Sequence, residues 1–146
     1  MKLLVLNGPN LNLLGFREPE KYGREDYLTV VDKIIAYGQS IGVDVEVRQS
    51  NHEGTLIDWI QGARGQFDGI VFNPAAYTHT SIALMDALLA VAIPTVEIHI
   101  TDISVREDFR QISYVRQAAI DCVMGKGTDG YMEAIDILVS HLGGNV

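Results

Sequence analysis

The sequence has little of what membrane, extracellular or nucleic-acid-binding proteins require. Cys122 is the only cysteine among 146 residues, so no disulfide can form within the chain, and it is most simply a small core residue. No stretch approaches the roughly 20 apolar residues that span a bilayer. Eleven basic residues stand against 19 acidic ones, and the net charge of −8 has the wrong sign for broad contact with phosphate backbones. We therefore expect a cytoplasmic protein that binds neither nucleic acid nor membranes.

Nothing in the composition divides the chain. Hydrophobic residues make up 47% and charged residues 21%, which is ordinary for one compact domain. After Met1 and one lysine, an apolar run at residues 3–6 predicts a strand rather than a signal peptide. Because we find no linker, repeat or low-complexity tract, we expect a single domain over residues 1–146.

Apolar runs of strand length alternate with segments of helical period, which is typical of a parallel sheet. Strands are expected at residues 3–6, 43–47, 69–72, 95–100 and 118–123. Helices are expected from the apolar spacing at residues 27–35, 56–63, 81–91 and 131–142. Valines alternate with charged residues in the second strand, so this strand should lie near an edge of the sheet. These βα units predict a flavodoxin-like three-layer α/β sandwich with a five-stranded parallel sheet.

The predicted helix at residues 81–91 is apolar nearly all round, with Asp86 as its only charge. A helix of this kind is buried on both sides, and in a small chain the second side could meet another subunit. We therefore expect a homo-oligomer in which Asp86 is paired at or near the interface. The alternative is a central helix buried within one subunit.

Polar residues gather directly after the first four predicted strands, at residues 7–12, 49–54, 73–80 and 99–104. The carboxyl ends of parallel strands share one edge, where open α/β folds place their ligands, so one crevice should collect these residues. His52, His79 and His99 fall in these loops, whereas His141 near the C-terminus is expected to be merely solvated.

Glu97 and His99 lie two residues apart on a predicted strand, so their side chains leave the same face. A carboxylate beside an imidazole raises the imidazole pKa and orients the ring, which suits a general acid working near neutrality. A structural ion pair at a strand end fits the spacing equally well. A catalytic metal is disfavoured, because the sequence has one cysteine and no HExxH or paired-histidine spacing.

The connection at residues 15–23 carries an arginine and a tyrosine between glycines. A nearby guanidinium lowers the pKa of a tyrosine, so Arg17 could turn Tyr22 into a base on a lid over the crevice. The spacing by itself favours an exposed loop with a solvated arginine.

Arg106 and Arg110 are four residues apart, which is one helical turn if Ser104 caps a short helix. Either arginine could hold an anionic or hydroxylated ligand. Pairing with Glu107 or another neighbouring carboxylate is the alternative, and we prefer it for Arg106.

Several short motifs occur in a fixed order along the chain: NGPNLN at residues 7–12, REP with YG at 17–19 and 22–23, QSNHEG at 49–54, NP with YTHTS at 73–74 and 77–81, VEIHI at 96–100, REDFR at 106–110 and GY at 130–131. Together they resemble type II 3-dehydroquinate dehydratase, and the match extends from residue 1 to about residue 142.

The resemblance implies a lyase of the shikimate pathway, which leads to aromatic amino acids, or of quinate catabolism. Such an enzyme dehydrates 3-dehydroquinate to 3-dehydroshikimate by anti elimination through an enolate, without metal or cofactor. It also implies a flavodoxin-like subunit, usually assembled as a dodecamer of trimers.

By motif position, Tyr22 resembles the base that removes the C2 proton, with Arg17 holding it as phenolate. Asn10 would position a water that stabilises the enolate oxygen. His99, oriented by Glu97, would protonate the departing C1 hydroxyl. The substrate-binding set would be Asn73, His79, Arg110 and the backbone at Ile100 and Thr101, and we count Asp86 with it.

The chain departs from the family pattern at a few positions: Ala75 stands where glycine is common, Met85 where arginine is common, Thr101 and Asp102 for the usual Ser-Asn, and Ser104 where histidine is frequent. Asp102 could weaken the binding of an anionic ligand by like-charge repulsion. The alternative function is a flavodoxin-like nucleotide- or flavin-binding module without turnover, although the chain lacks the usual phosphate-loop spacings.

Overall fold

A five-stranded parallel sheet forms the centre of the protein in the strand order β2-β1-β3-β4-β5. The computed structural model describes residues 1–143 except 17, 19 and 21–23, and residues 144–146 also lie outside the description. The strands are β1 (Lys2–Asn7), β2 (Asp44–Gln49), β3 (Gly69–Asn73), β4 (Thr95–His99) and β5 (Asp121–Met124). The prediction that the second strand lies at an edge is confirmed, since β2 pairs with β1 on one side.

Helices cover the two faces of this sheet: α1 (Tyr27–Ser40), α2 (Glu53–Gly62), α3 (Ile82–Val91) and α4 (Gly130–His141). The inner residues of α1 and α4 pack on one face, in a core that includes Leu3, Val5 and Val71. The inner residues of α2 and α3 pack on the other face, against the alternate strand residues such as Leu4 and Phe72. Because successive strand residues point to opposite faces, the central strands must be apolar throughout. The result is the predicted three-layer sandwich.

The fifth strand begins later than predicted. Residues 118–120 do not belong to it, because Val115–Ala118 forms a 3-10 turn whose Val115 side chain is fully buried. The N–H of Ile120 donates to Thr95 O at 2.8 Å, and the strand proper starts at Asp121. Cys122 within it is half-buried, so the expectation of a core cysteine is wrong at this position.

Within one chain α3 is buried on one side only. Leu84 and Leu88 face the core, whereas Ile82 and Leu89 remain about half exposed at 50% and 56%. The alternative of a central helix buried within one subunit is therefore wrong. Asp86 also lies exposed on this helix. The described residues leave this apolar face of α3 uncovered.

In the part of the chain that the structure describes, every helix is too short or too polar to cross a membrane.

Candidate active site

A cavity of about 210 Å³ opens at the carboxyl edge of the sheet, above β1, β3 and β4. Its lining includes most of the residues predicted from the sequence: Asn10, Asn73, His79, His99, Ile100, Thr101 and Arg110. They come from the loops after three neighbouring strands, as expected for an open α/β fold. The cavity is thus a candidate active site.

The loop after β2 supports this cavity but does not line it, so the expectation that all four loops meet in one crevice is wrong for residues 49–54. The side chain of Gln49 donates through Nε2 to Gly8 O at 3.1 Å. Asn51 accepts through Oδ1 from the N–H of Asn10 at 3.0 Å. His52 lies exposed immediately before α2. The loop after β2 does not reach the cavity because β2 is an edge strand and β1 separates it from β3 and β4.

The chain turns sharply after β1 and presents Asn10 to the cavity. Asn10 has a φ of 71°, a left-handed conformation that asparagine tolerates better than most residues. Gly8 lets this turn approach the loop after β3, because a Cβ at Gly8 would lie 2.6 Å from Pro74 O. The N–H of Gly8 also donates to Asn73 O at 2.8 Å, which ties the two loops together.

Glu97 and His99 contact each other as their spacing predicts. His99 Nε2 lies 2.5 Å from Glu97 Oε2, and since a carboxylate only accepts, Nε2 carries the proton. Glu97 is fully buried and His99 is 5% exposed. Thr78 and Ser113 donate their hydroxyls to the same carboxylate oxygen at 2.6 and 2.8 Å.

These donors decide the charge of Glu97. Burial alone would raise its pKa, but the hydrogen bond and positive charge of His99, with the hydroxyls of Thr78 and Ser113, hold the pKa at about 2. Glu97 is therefore a carboxylate at neutral pH, and it orients the His99 ring.

His79 lines the cavity at the end of the 3-10 turn Ala75–His79. Its Nδ1 lies 2.7 Å from the carbonyl oxygen of Ile112, so Nδ1 is the donor. Burial lowers the pKa of His79, and the nearby positive charges of His99 and Arg110 add to this, although the hydrogen bond to Ile112 opposes it. A neutral ring presents Nε2 as an acceptor.

Arg106 and Arg110 both line the cavity, but they do not share a helix. Arg110 ends the 3-10 turn Asp108–Arg110, and Arg106 follows a separate turn, Ile103–Val105. Both contact Glu107, whose Oε2 lies 2.7 Å from Arg110 Nε and 3.8 Å from Arg106 Nε. The predicted pairing of Arg106 with Glu107 is confirmed, and the predicted single helix is wrong.

Asp102 caps the first of these turns, so the condition that Ser104 caps a short helix is not met. Asp102 Oδ1 accepts from the N–H of Ser104 at 3.0 Å and from its hydroxyl at 2.5 Å. These hydrogen bonds lower the pKa of Asp102. Two of the departures from the family pattern therefore pair with each other.

A buried polar network behind Asn73 was not predicted. Tyr131 on α4 is 1% exposed, donates to Asn7 Oδ1 at 2.5 Å, and accepts from Asn73 Nδ2 at 3.0 Å. The N–H of Ala75 donates to Asn73 Oδ1 at 3.2 Å. The helical spacing marks Tyr131 as a core residue, and only the tertiary structure shows that its hydroxyl orients Asn73.

Some predicted site residues do not line this cavity. Glu97 lies behind His99, and Asp86 is exposed on α3 and does not line the cavity. Arg17 and Tyr22, and most of the predicted lid around them, lie outside the described residues.

Among the described residues, no group of three or more His, Cys, Asp or Glu side chains is placed to hold a metal ion. The cationic and imidazole groups of the cavity instead suit an anionic substrate. An imidazole held in place by a buried carboxylate is an arrangement that suits general acid–base catalysis.

Comparison with known proteins identifies the family. The model of the family described as dehydroquinase class II matches residues 1–139. A 3-dehydroquinate dehydratase of Variovorax paradoxus is 52% identical to this chain, and the match covers 94% of this chain and 98% of that protein. Catabolic 3-dehydroquinase 2 of Neosartorya fischeri is 49% identical over 96% of this chain and 93% of its own.

A solved structure agrees with these sequences. The crystal structure of the type II dehydroquinase from Butyrivibrio crossotus has a TM-score of 0.93 and 49% identity over 94% of this chain and 97% of its own. The chain belongs to the class II dehydroquinase family. The predicted fold and family are confirmed, and this membership decides against the alternative of a nucleotide- or flavin-binding module.

Proposed function

We propose that the chain dehydrates 3-dehydroquinate to 3-dehydroshikimate by anti elimination through an enolate. The observation that carries the proposal is the Glu97–His99 pair, which lies at the cavity where the family motifs meet. Hydroxide is a poor leaving group, so the reaction needs an acid to protonate it. The proton beside the ketone is only weakly acidic, so the reaction also needs a base and donors for the developing oxyanion.

We assign the acid role to His99. Its Nε2 lies against Glu97, so the proton for the C1 hydroxyl comes from the other ring nitrogen, Nδ1. The carboxylate of Glu97 accepts the Nε2 proton and fixes the ring plane. The proton and the C1 hydroxyl leave together as water, and the enolate electrons form the new double bond.

We assign the base role to Tyr22, with Arg17 holding it as phenolate, from their positions in the family motif. Asn10 is supported by Asn51 and is assigned to a water that stabilises the enolate oxygen. The substrate carboxylate is assigned to the backbone of Ile100 and Thr101. The remaining substrate-binding residues in this proposal are Asn73, His79, Arg110 and, from a neighbouring subunit, Asp86.

The test is to add 3-dehydroquinate and follow the ultraviolet absorbance of the conjugated enone. The wild-type chain should form the enone. Tyr22→Phe should lower kcat by several orders of magnitude while binding is kept, because the base is lost with little change in volume.

His99→Ala should also lower kcat. His141→Ala is the matched control, because His141 lies at the end of α4, away from the cavity. No enone from the folded wild-type protein would refute the function. Substantial activity in Tyr22→Phe would move the base role elsewhere.

We also propose that the subunits form a homo-oligomer, a dodecamer built from trimers, in the cytoplasm. The exposed apolar face of α3 supports association, since Ile82 and Leu89 would otherwise stay in water. Sedimentation should show a species far larger than the 16.1 kDa subunit. A monomer that persists at micromolar concentration would contradict this.

A further inference from the structure

Arg116 contacts the buried carboxylate of Glu97 at the oxygen that His99 leaves free. Its Nε donates to Glu97 Oε1 at 3.3 Å, whereas His99, Thr78 and Ser113 all contact Oε2. Glu97 is fully buried, and the Arg116 side chain is 42% exposed. One carboxylate therefore joins a surface cation to the imidazole of the cavity.

The backbone holds Arg116 in this place. Arg116 lies in the 3-10 turn Val115–Ala118, and its N–H donates to Ser113 Oγ at 3.1 Å. The same Ser113 hydroxyl donates to Glu97. Val115 is fully buried next to it, which anchors the turn on the sheet. The position of the guanidinium is thus part of the network that holds Glu97.

The charged and titratable groups around His99 come from several elements. Glu97 lies on β4, and His79 and Arg110 come from the turns Ala75–His79 and Asp108–Arg110. Cys122 on β5 pairs in register with Glu97, and burial, with the charge of Glu97, raises the pKa of its thiol to about 11, so it is neutral. Arg106 lines the same cavity. Arg116 is a further charged group, and it reaches His99 through its contact with Glu97.

The sign of this effect follows from electrostatics. A carboxylate attracts the positive charge of an imidazolium beside it, and a guanidinium on the same carboxylate offsets part of that negative charge. Removal of the guanidinium leaves the carboxylate ionised, because His99, Thr78 and Ser113 still donate to it. The full carboxylate charge then acts on His99, so the imidazole binds its proton more tightly.

We propose that Arg116 is a positioning residue that sets the proton affinity of His99 through Glu97. Arg116 does not line the cavity and does not need to touch substrate. The inference deepens the proposed function and rests on it where it concerns the acid step. It means that the acid strength of the catalytic imidazole is set partly by a surface residue on another segment of the chain.

The experiment compares Arg116→Gln with wild type by an NMR titration of ring-labelled histidine. The chain has four histidines, and the His99 signal is assigned by its loss in His99→Ala. The His99 signal should titrate at a higher pH in Arg116→Gln than in wild type, although solvent screens part of the effect of the partly exposed guanidinium. Arg116→Lys keeps the charge and should stay close to wild type. Arg64→Gln is the matched control, because it removes the same charge from the turn before β3, at the amino-terminal edge of the sheet and away from the cavity.

A His99 pKa that does not move in Arg116→Gln, or that moves equally in Arg64→Gln, overturns the proposal. If Arg116→Gln does not fold, Arg116→Met, which keeps most of the apolar stem, undergoes the same titration with the same two outcomes. The alkaline limb of kcat/KM for 3-dehydroquinate is measured in parallel. If the limb moves with the NMR pKa, both the proposal and the acid role of His99 are supported. If only the NMR pKa moves, Arg116 acts as proposed and the acid role of His99 is wrong.

Discussion

Glu97→Gln should remove the part of the free energy of unfolding that the ionised Glu97 carboxylate contributes, which decreases in acid. Glu97 is fully buried and its pKa is held at about 2, against 4.5 for an ordinary glutamate. One pKa unit corresponds to about 1.4 kcal/mol, so the ionised carboxylate contributes about 3 kcal/mol to the free energy of unfolding at neutral pH. The substitution keeps the shape of the side chain but removes its charge.

The sign of the pH dependence is set by the lowered pKa. The contribution is fully present above the ordinary pKa of 4.5, where both folded and unfolded chains are ionised. As the pH falls below 4.5, Glu97 becomes protonated in the unfolded chain but stays ionised in the folded chain. The free energy of unfolding therefore decreases until the pH reaches about 2. Of the contribution of about 3 kcal/mol at about pH 6, only about 1 kcal/mol should remain at about pH 3.

Urea unfolding at a series of pH values measures this contribution. Wild type and Glu97→Gln are compared at one protein concentration, because oligomer stability depends on it. The difference in unfolding free energy between them should narrow by about 2 kcal/mol from about pH 6 to about pH 3. Asp58→Asn, which removes an exposed carboxylate from α2, is the control. A difference that stays constant over this range would refute the claim that the network around Glu97 keeps it ionised.

Two further predictions concern residues beside the cavity. Tyr131→Phe should lower the free energy of unfolding by about 1 to 3 kcal/mol, because Asn7 and Asn73 lose a buried partner, and it should raise KM more than it lowers kcat if Asn73 binds substrate. An unchanged KM would mean that Asn73 needs no help from Tyr131. Ala75→Gly should raise the free energy of unfolding by up to about 1 kcal/mol, because Ala75 has a φ of 52° where glycine is not strained, and a lower melting temperature would contradict this.

Much of the fold follows from local patterns in the sequence. The alternation at residues 43–47 predicts an edge strand, and β2 is one, because a strand with one exposed face keeps polar residues there. The spacing of Glu97 and His99 is enough to predict their contact, since side chains two apart on a strand share a face. The start of β5 was mispredicted because Ala118 ends a 3-10 turn and Ile120 stays exposed, so these apolar residues do not mark a buried strand.

Contacts between distant segments needed the tertiary structure. The order of the strands decides that the loops after β1, β3 and β4 line the cavity and that the loop after β2 only supports them. Thr78 and Arg116 each lie 19 residues from Glu97 along the chain, and no local period links them to it. The sequence by itself therefore determined the elements and the residue types of the site, because these depend on short-range patterns. The packing of turns onto the sheet decided which side chains surround Glu97. These partners keep Glu97 ionised, and only the tertiary structure brings them together at a buried position.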